Sequence, residues 1–318
     1  MRALLIVNPN ATSTTPAARD LLAHALSSRV QVRVVHTTHR GHAAELARRA
    51  VIEGIGLIIV HGGDGTVNEV VNGLLGAPEP GSMSALTIGP TPLVAVVPGG
   101  SANVFARSLG IDPDPVVATN QLIELLELRE RRRIGLAHCD GRWFTFNAGL
   151  GLDAQVCEAI DLARAKGHAA TPSRYVRTAV RTFLRTRRIE PTLTVEVPGH
   201  EPVDGVHYAF VSNSSPWTYL NQRPVAVNPD TAFDTGLGVF AMRTMSIARS
   251  LPMVRQLLKP GSNPKSRNLF RVDDTPRVRI TSTTPIGLQM DGDYIGKRTE
   301  VNFVAVRDAL TMVAPSRG

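Results

Sequence analysis

Twice in its first 110 residues the chain runs a short apolar strand into a glycine-rich loop that opens a helix, and this constrains its fold more than any other feature. Gly56–Val60 leads into His61-Gly62-Gly63-Asp64-Gly65-Thr66 and a helical pattern over Thr66–Leu75. Leu93–Val97 leads into Pro98-Gly99-Gly100-Ser101-Ala102-Asn103 and a helix over Ala102–Leu109. Continuous apolar runs of this length fit strands covered on both faces, as in a parallel sheet. Arg2–Val7 and Val30–Val35 read as further strands. Pro16 opens one more helical pattern, and His42–Ile52 carries another. The β-α-β-α order predicts an α/β domain with a mostly parallel sheet, helices on both faces and right-handed crossovers.

The pattern changes near residue 130. Strand-like runs then dominate: Arg133–His138, Trp143–Asn147, Thr192–Val197, His207–Ser212, Gly238–Met242, Arg277–Thr281 and Val301–Val306. One helical stretch, about Asp153–Arg188, interrupts them, and Lys259–Arg267 has loop composition. The expected division is an α/β domain over 1–130 and a β-rich domain over 131–318, with the last strand free to return to the first domain.

A chain of 318 residues is long enough for two domains with full cores and no covalent staples. Two cysteines, Cys139 and Cys157, form neither a CxxC site nor a disulfide framework, which points to a reducing compartment. No apolar run approaches the ~20 residues that span a bilayer. The expectation is a soluble, cytoplasmic protein whose membrane contact, if any, is peripheral. The +8 balance suits an anionic partner. Low aromatic content and the absence of basic–aromatic interleaving argue against nucleic acid.

Glycines at the ends of parallel strands let the backbone approach a phosphate closely, and a following helix N-terminus favours negative charge. Asp64 in the first loop could hold Mg²⁺ or orient a hydroxyl. The structural alternative for this loop is a tight turn with Thr66 as the helix N-cap. A second such loop in the same sheet favours one nucleotide crevice. Neither loop is a GxxxxGK[ST] or a GxGxxG. Residue chemistry alone stops at a phosphate-binding α/β domain joined to a β domain.

Gly62-Gly63-Asp64-Gly65-Thr66-Val67-Asn68-Glu69-Val70-Val71-Asn72-Gly73 resembles the nucleotide loop of the diacylglycerol kinase catalytic-domain family, which includes bacterial lipid kinases and relatives of sphingosine kinases. Further segments agree in order: Val7-Asn8-Pro9, Thr37 with Gly41-His42-Ala43, Pro98–Arg107, Phe146–Ala154, and Gln289-Met290-Asp291-Gly292-Asp293. GGDGT alone is shared with NAD kinases, but the combination is specific. The resemblance implies a three-layer α/β nucleotide domain of the NAD kinase/diacylglycerol kinase type, followed by an all-β sandwich, with the active site in the cleft. It implies ATP and Mg²⁺ as cofactors, and transfer of the γ-phosphate to a lipid hydroxyl at a membrane surface. Diacylglycerol, giving phosphatidic acid, leads the acceptors.

By position, the resemblance implies that Thr37, the loop Gly63, Asp64, Gly65, Thr66, Val67, Asn68 and Glu69 with Gly62 before it, and Ser101 contact ATP, with Asn8 beside the phosphates. Asp293 stands where the family has its proton acceptor, a Glu, and Asp64 belongs to the Mg²⁺ and water network. A structural Mg²⁺ site in the β domain falls on Ala232, Asp234 and Leu237. There are departures. Aligned on Gly236, the metal-binding Asp of the family falls on Thr235, and Asp234 is one residue early. Val104 replaces an Asp, and the Asn8–Pro16 loop has no Lys.

Other residues have two readings each. Asp291-Gly292 is a hairpin-turn signal, and Asp291 reads as the turn residue proper. Asp153 reads as an N-cap before a cleft residue. Arg174, Arg177, Arg181, Arg185 and Arg188 share one helical face, opposite Val176, Val180, Phe183 and Leu184. The base-rate reading is a surface helix packing its apolar stripe on the β domain; the other is an interfacial helix facing anionic lipid. The competing functions are an NAD kinase-like enzyme and a catalytically weak nucleotide- or lipid-binding protein. A homodimer stays open.

Overall fold

The computed structural model describes residues 1–11, 22, 24–84, 91–166, 171–220 and 222–316. The helix expected from Pro16 lies mostly outside them, although 22 and 24–27 are helical and Leu22 and Leu26 are buried. The chain forms two compact units, residues 1–136, 141–143 and 306–318 against residues 137–140 and 144–305.

The first unit contains β1 (Arg2–Val7), β2 (Gln31–His36), α1 (His42–Ile52), β3 (Leu57–Gly62), α2 (Asp64–Leu75), β4 (Leu93–Pro98), α3 (Val104–Ser108) and α4 (Pro115–Glu127). Its strands pair in parallel in the order β2-β1-β3-β4. The central strands β1 and β3 are fully buried over Ala3–Val7 and Leu57–Val60, as continuous apolar runs require. Chain order reverses direction between β1 and β3. That makes the carboxyl ends of these two strands a topological switch point, where open α/β sheets leave a crevice.

The second unit draws on β5 (Arg132–Cys139), β6 (Arg142–Phe144), β7 (Asn147–Leu150), α5 (Leu152–Ala165), α6 (Pro172–Thr186), β8 (Leu193–Glu196), β9 (Val203–Val206), β10 (Tyr208–Ser212), β11 (Thr218–Leu220), β12 (Arg223–Val225), β13 (Leu237–Met242), α7 (Ile247–Leu257), β14 (Leu269–Thr275), β15 (Arg277–Met290) and β16 (Asp293–Met312). The antiparallel order is β14-β13-β10-β7-β15. β15 serves two layers. Its first half pairs with β8 and its second with β7, with an irregularity between Thr281 and Ile286 where Pro285 removes a donor. Alternation along β10 and β13 sorts the side chains by face. Ala209, Val211, Val239 and Ala241 enter the main core, while Tyr208, Phe210, Phe240 and Met242 build a second cluster outside it. The fold class is thus the expected one, α/β followed by a strand-rich unit.

Element limits moved in physically sensible ways. The helix expected from Thr66 starts at Asp64, with Gly63 as N-cap, so Thr66 is not the cap. The single stretch Asp153–Arg188 is two helices, α5 and α6, and α6 starts at Pro172 behind the capping Thr171. The last strand segments lengthen into the β15–β16 hairpin, and residues 306–318 belong to the first unit.

Candidate active site

In the first unit the switch point gathers most of the expected nucleotide residues. The Asn8 amide N–H donates to the His61 carbonyl at 2.9 Å, and its side-chain Nδ2 donates to Thr66 Oγ1 at 3.1 Å. The Thr37 N–H donates to the Val7 carbonyl at 2.9 Å, placing Thr37 on the same carboxyl edge. The two glycine loops touch: a Cβ on Gly100 would lie 2.7 Å from the Gly63 Cα, so only glycine fits there. Gly99 N–H donates to the Gly62 carbonyl at 2.9 Å.

Asp64 joins the loops. Its Oδ2 accepts from Val104 N–H and its Oδ1 from Phe105 N–H, each at 3.0 Å. A carboxylate meeting the free N–H groups of a helix start is a charge-assisted cap. Asn103, at φ 49°, completes the second loop: its side-chain amide exchanges hydrogen bonds with the Gly100 N–H and carbonyl at 2.8 and 2.7 Å. Sequence reasoning gave Asn103 no role. Ser101 lies exposed between these anchors.

Three members of the predicted loop point elsewhere. Val67 is buried in the core. Glu69 accepts from Gly41 N–H at 2.8 Å and Ala43 N–H at 3.2 Å, meeting free donors at the start of α1. Asn68 is 1% exposed; its Nδ2 donates to the Trp143 carbonyl, and its Oδ1 accepts from Arg142 Nη2 and Asn72 Nδ2. Asn72 Oδ1 accepts from the Trp143 N–H. Asn68 and Asn72, one turn apart, hold the 142–143 segment within the first unit.

The second unit holds a separate polar cluster. Asp291 and Gly292, at φ 48° and 84°, form the two-residue turn between β15 and β16. Asp291 does more than turn the chain. Its carboxylate accepts from Thr145 N–H (2.6 Å), Thr145 Oγ1 (2.8 Å), Phe146 N–H (3.0 Å) and Asn147 N–H (3.2 Å). Burial raises its pKa, and the backbone donors oppose that rise.

Gln289 lies at the centre of this cluster. Its Nε2 donates to Asp153 Oδ2 at 2.6 Å and Asn147 Oδ1 at 3.0 Å, and its Oε1 accepts from Gly292 N–H at 2.8 Å. Asn147 Nδ2 donates to the Trp217 carbonyl. Gly149 leaves the room for this, since a Cβ there would meet Asp153 Oδ2 at 2.4 Å. Asp153 is therefore not the expected N-cap. The cap is Gly151, and Asp153 turns inward from the first turn of α5. Burial pushes its carboxyl up to about 7, against the lowering effect of the Gln289 hydrogen bond. Asp293 follows the turn directly and pairs with Met290.

The residues at the expected structural metal site do not fit a resident cation. The Thr235 hydroxyl occupies the loop: it accepts from Ala232 N–H, and its one proton is shared between the Ala232 and Gly236 carbonyls, 2.9 and 3.0 Å away. Asp234 is exposed, and Leu237 is buried in β13. Among the described residues no three His, Cys, Asp or Glu side chains cluster as a metal site.

An α/β unit with two glycine loops packed together at its switch point, followed by a strand-rich unit, is the class of two-domain protein that the structure defines. The comparisons narrow it. Residues 2–135 match the family model "Diacylglycerol kinase catalytic domain". The chain is 35% identical over 155 residues to a diacylglycerol kinase of Bacillus subtilis, a match spanning 47% of this chain and 46% of that protein. It is 24% identical over 276 residues to one of Staphylococcus aureus, spanning 87% and 80%. In fold it resembles a crystal structure of a putative diacylglycerol kinase from Bacillus anthracis, with TM-score 0.75, 22% identity and coverage of 99% and 97%. The resemblance read in the sequence is borne out: residues 2–135 match the family's catalytic-domain model, and the relatives and structural neighbours found are diacylglycerol kinases.

Proposed function

We propose that the chain is an ATP-dependent lipid kinase that phosphorylates a lipid hydroxyl, with diacylglycerol as the leading acceptor. The observation that carries the reading is the contact of the two glycine loops at the β1/β3 switch point. Backbone glycines pressed together, with Asp64 bridging both loops, form a rigid cradle of the kind phosphates occupy. MgATP enters as the substrate complex, its ion neutralising phosphate charge. Asn8, Thr37, Thr66 and Ser101 line the edge where the nucleotide sits. Asp64, anchored by the Val104 and Phe105 N–H groups, would face the water shell of that ion.

The transfer joins the lipid hydroxyl oxygen to the γ-phosphorus and breaks the bond to the β,γ-bridging oxygen, releasing ADP. The hydroxyl proton passes to the carboxylate of Asp293. Such a transfer needs positioning and a proton acceptor more than covalent help. Support for Asp293 comes from the anchoring around it. The turn before it is held by Asp291 and Gln289, so the shorter Asp arm starts from a fixed backbone. The protein works in the cytoplasm, at the periphery of a bilayer.

The test is a mixed-micelle assay with γ-labelled ATP and Mg²⁺ against diacylglycerol, monoacylglycerol, ceramide, sphingosine and a prenyl alcohol, with NAD as a soluble acceptor. Label should enter lipid, diacylglycerol most, and be lost in Asp64→Asn and Asp293→Asn. Label in NAD alone, or no transfer while ATP still binds, overturns the reading.

A further inference from the structure

The second cluster of the β unit, on the outer face of β10 and β13, is covered by two helices that share it. Phe183 from α6 and Met253 and Leu257 from α7 pack into it, and Thr186 Oγ1 reaches Met245 Sδ at 3.9 Å. The sides of these helices turned away from the cluster are unusual. On α6, Val176, Val180 and Leu184, at spacing four, are 48–55% exposed. The base-rate expectation that this stripe packs on the β domain is thus not met, and the buried side of α6 is Thr182 and Thr186 with Phe183 beside them. Arg177, Arg181 and Arg185 run along the same exposed side, one residue on from each apolar position, and Arg188 lies just beyond the helix. On α7, Ile247, Leu251, Val254 and Leu258 follow a four-three-four spacing and are 45–49% exposed, with Arg255 and Lys259 flanking them.

Charge says what covers such a surface. Residues 162–189 and 243–272 hold fifteen of the chain's 35 Lys and Arg and none of its 27 Asp and Glu. Removing their +15 from the chain's +8 leaves −7, so the basic character of the protein resides in these two segments. Arg177, Arg181, Arg185 and Lys259 make no ion pair with a described residue. A second copy presenting the same face would set like charges against each other. Apolar stripes bordered by Arg and Lys, on helices lying along a surface, match the boundary between acyl chains and anionic headgroups. No helix among the described residues is long and apolar enough to cross a membrane, so these helices would lie on it.

We infer that the exposed faces of α6 and α7 form a docking surface for an anionic lipid bilayer. The surface gives the peripheral contact of the proposed kinase a location. It does not rest on that reading, because vesicle binding is measured without ATP.

The experiment is sedimentation of the full chain with vesicles of phosphatidylcholine alone or mixed equally with phosphatidylglycerol. The wild type should bind the mixed vesicles at least about tenfold more tightly, and lose about tenfold in affinity between about 50 and about 300 mM NaCl. The triple change Arg177→Gln, Arg181→Gln, Arg185→Gln should weaken binding about tenfold or more and flatten the salt dependence. Leu184→Ser with Leu251→Ser should weaken it several-fold and leave the salt dependence in place. Arg29→Gln, Arg48→Gln, Arg49→Gln in the first unit should bind as the wild type. Equal wild-type binding to both vesicles, binding to neither, or an equal loss in the first-unit control overturns the inference. So does concentration-dependent dimerisation abolished by the two Ser changes, which would assign the face to a second copy. The wild-type lipid and salt comparisons stand even if a variant folds poorly.

Discussion

The two units assemble their polar sites in opposite ways. In the first, Gly62, Gly63, Asp64 and Thr66 are neighbours in the chain, and they meet a second compact motif, Gly99 to Asn103, across adjacent parallel strands. In the second, Asn147, Asp153, Gln289 and Asp291 form one hydrogen-bonded cluster whose members lie up to 144 residues apart. The first arrangement concentrates its chemistry in backbone geometry that glycines permit. The second depends on side chains that each satisfy several others, so losing one strands the rest. Changes in the first unit should therefore act on the nucleotide, and changes in the second on stability and on the transfer step.

The largest effect belongs to Asp293→Asn. Removing the proposed proton acceptor should lower kcat by about 10²–10⁴-fold with little change in melting temperature, read in a steady-state kinase assay. Asp291→Ala comes next. It strands three backbone N–H groups and a hydroxyl, and should cost about 3 kcal/mol or more in urea unfolding. Equal stability would show that the cluster in the second unit is not the structural anchor claimed here.

Asp153→Asn sharpens the comparison through pH. Burial holds the folded-state pKa near 7, well above the usual carboxylate range. The contribution to stability is then full below about pH 4 and is lost as pH rises through about 7, to the extent of about 1–3 kcal/mol for a partly exposed residue. The Asn variant removes that loss, so its advantage in melting temperature should be larger at pH 8 than at pH 5. Gly100→Ala should weaken MgATP binding about tenfold by forcing the loops apart, read by calorimetry, and leave the second unit's cluster untouched. Asp64→Asn should lower stability least, by about 1–2 kcal/mol, as one charge-assisted cap becomes an ordinary one and the other N–H loses its acceptor.

Legibility in the sequence followed the same division. β1, β3 and α1 were readable because their apolar periodicity is local, and the glycine loops because a parallel strand leading into a helix needs them. α7 has no counterpart in the sequence analysis: its apolar positions keep helical spacing, but Pro252, a residue that ordinarily ends a helix, lies inside it. Asp153 reads as a cap because a carboxylate at a helix start normally is one; its partner Gln289 lies 136 residues away, beyond the reach of local pattern. Glu69 and Asn68 sit inside the nucleotide motif, yet their side chains hold α1 and the 142–143 segment. Spacing alone does not separate such scaffold residues from the rest of the motif. Thr235, the residue at which the sequence departs from the family's metal-site pattern, spends its hydroxyl on the Ala232 and Gly236 backbone.

The most direct test of the division of labour is to measure, on Asp293→Asn, both the Kd for MgATP and kcat with diacylglycerol in mixed micelles. The account predicts a Kd within about twofold of wild type together with a fall in kcat of about a hundredfold or more. An unchanged kcat, or a fall explained wholly by lost nucleotide binding, would contradict it.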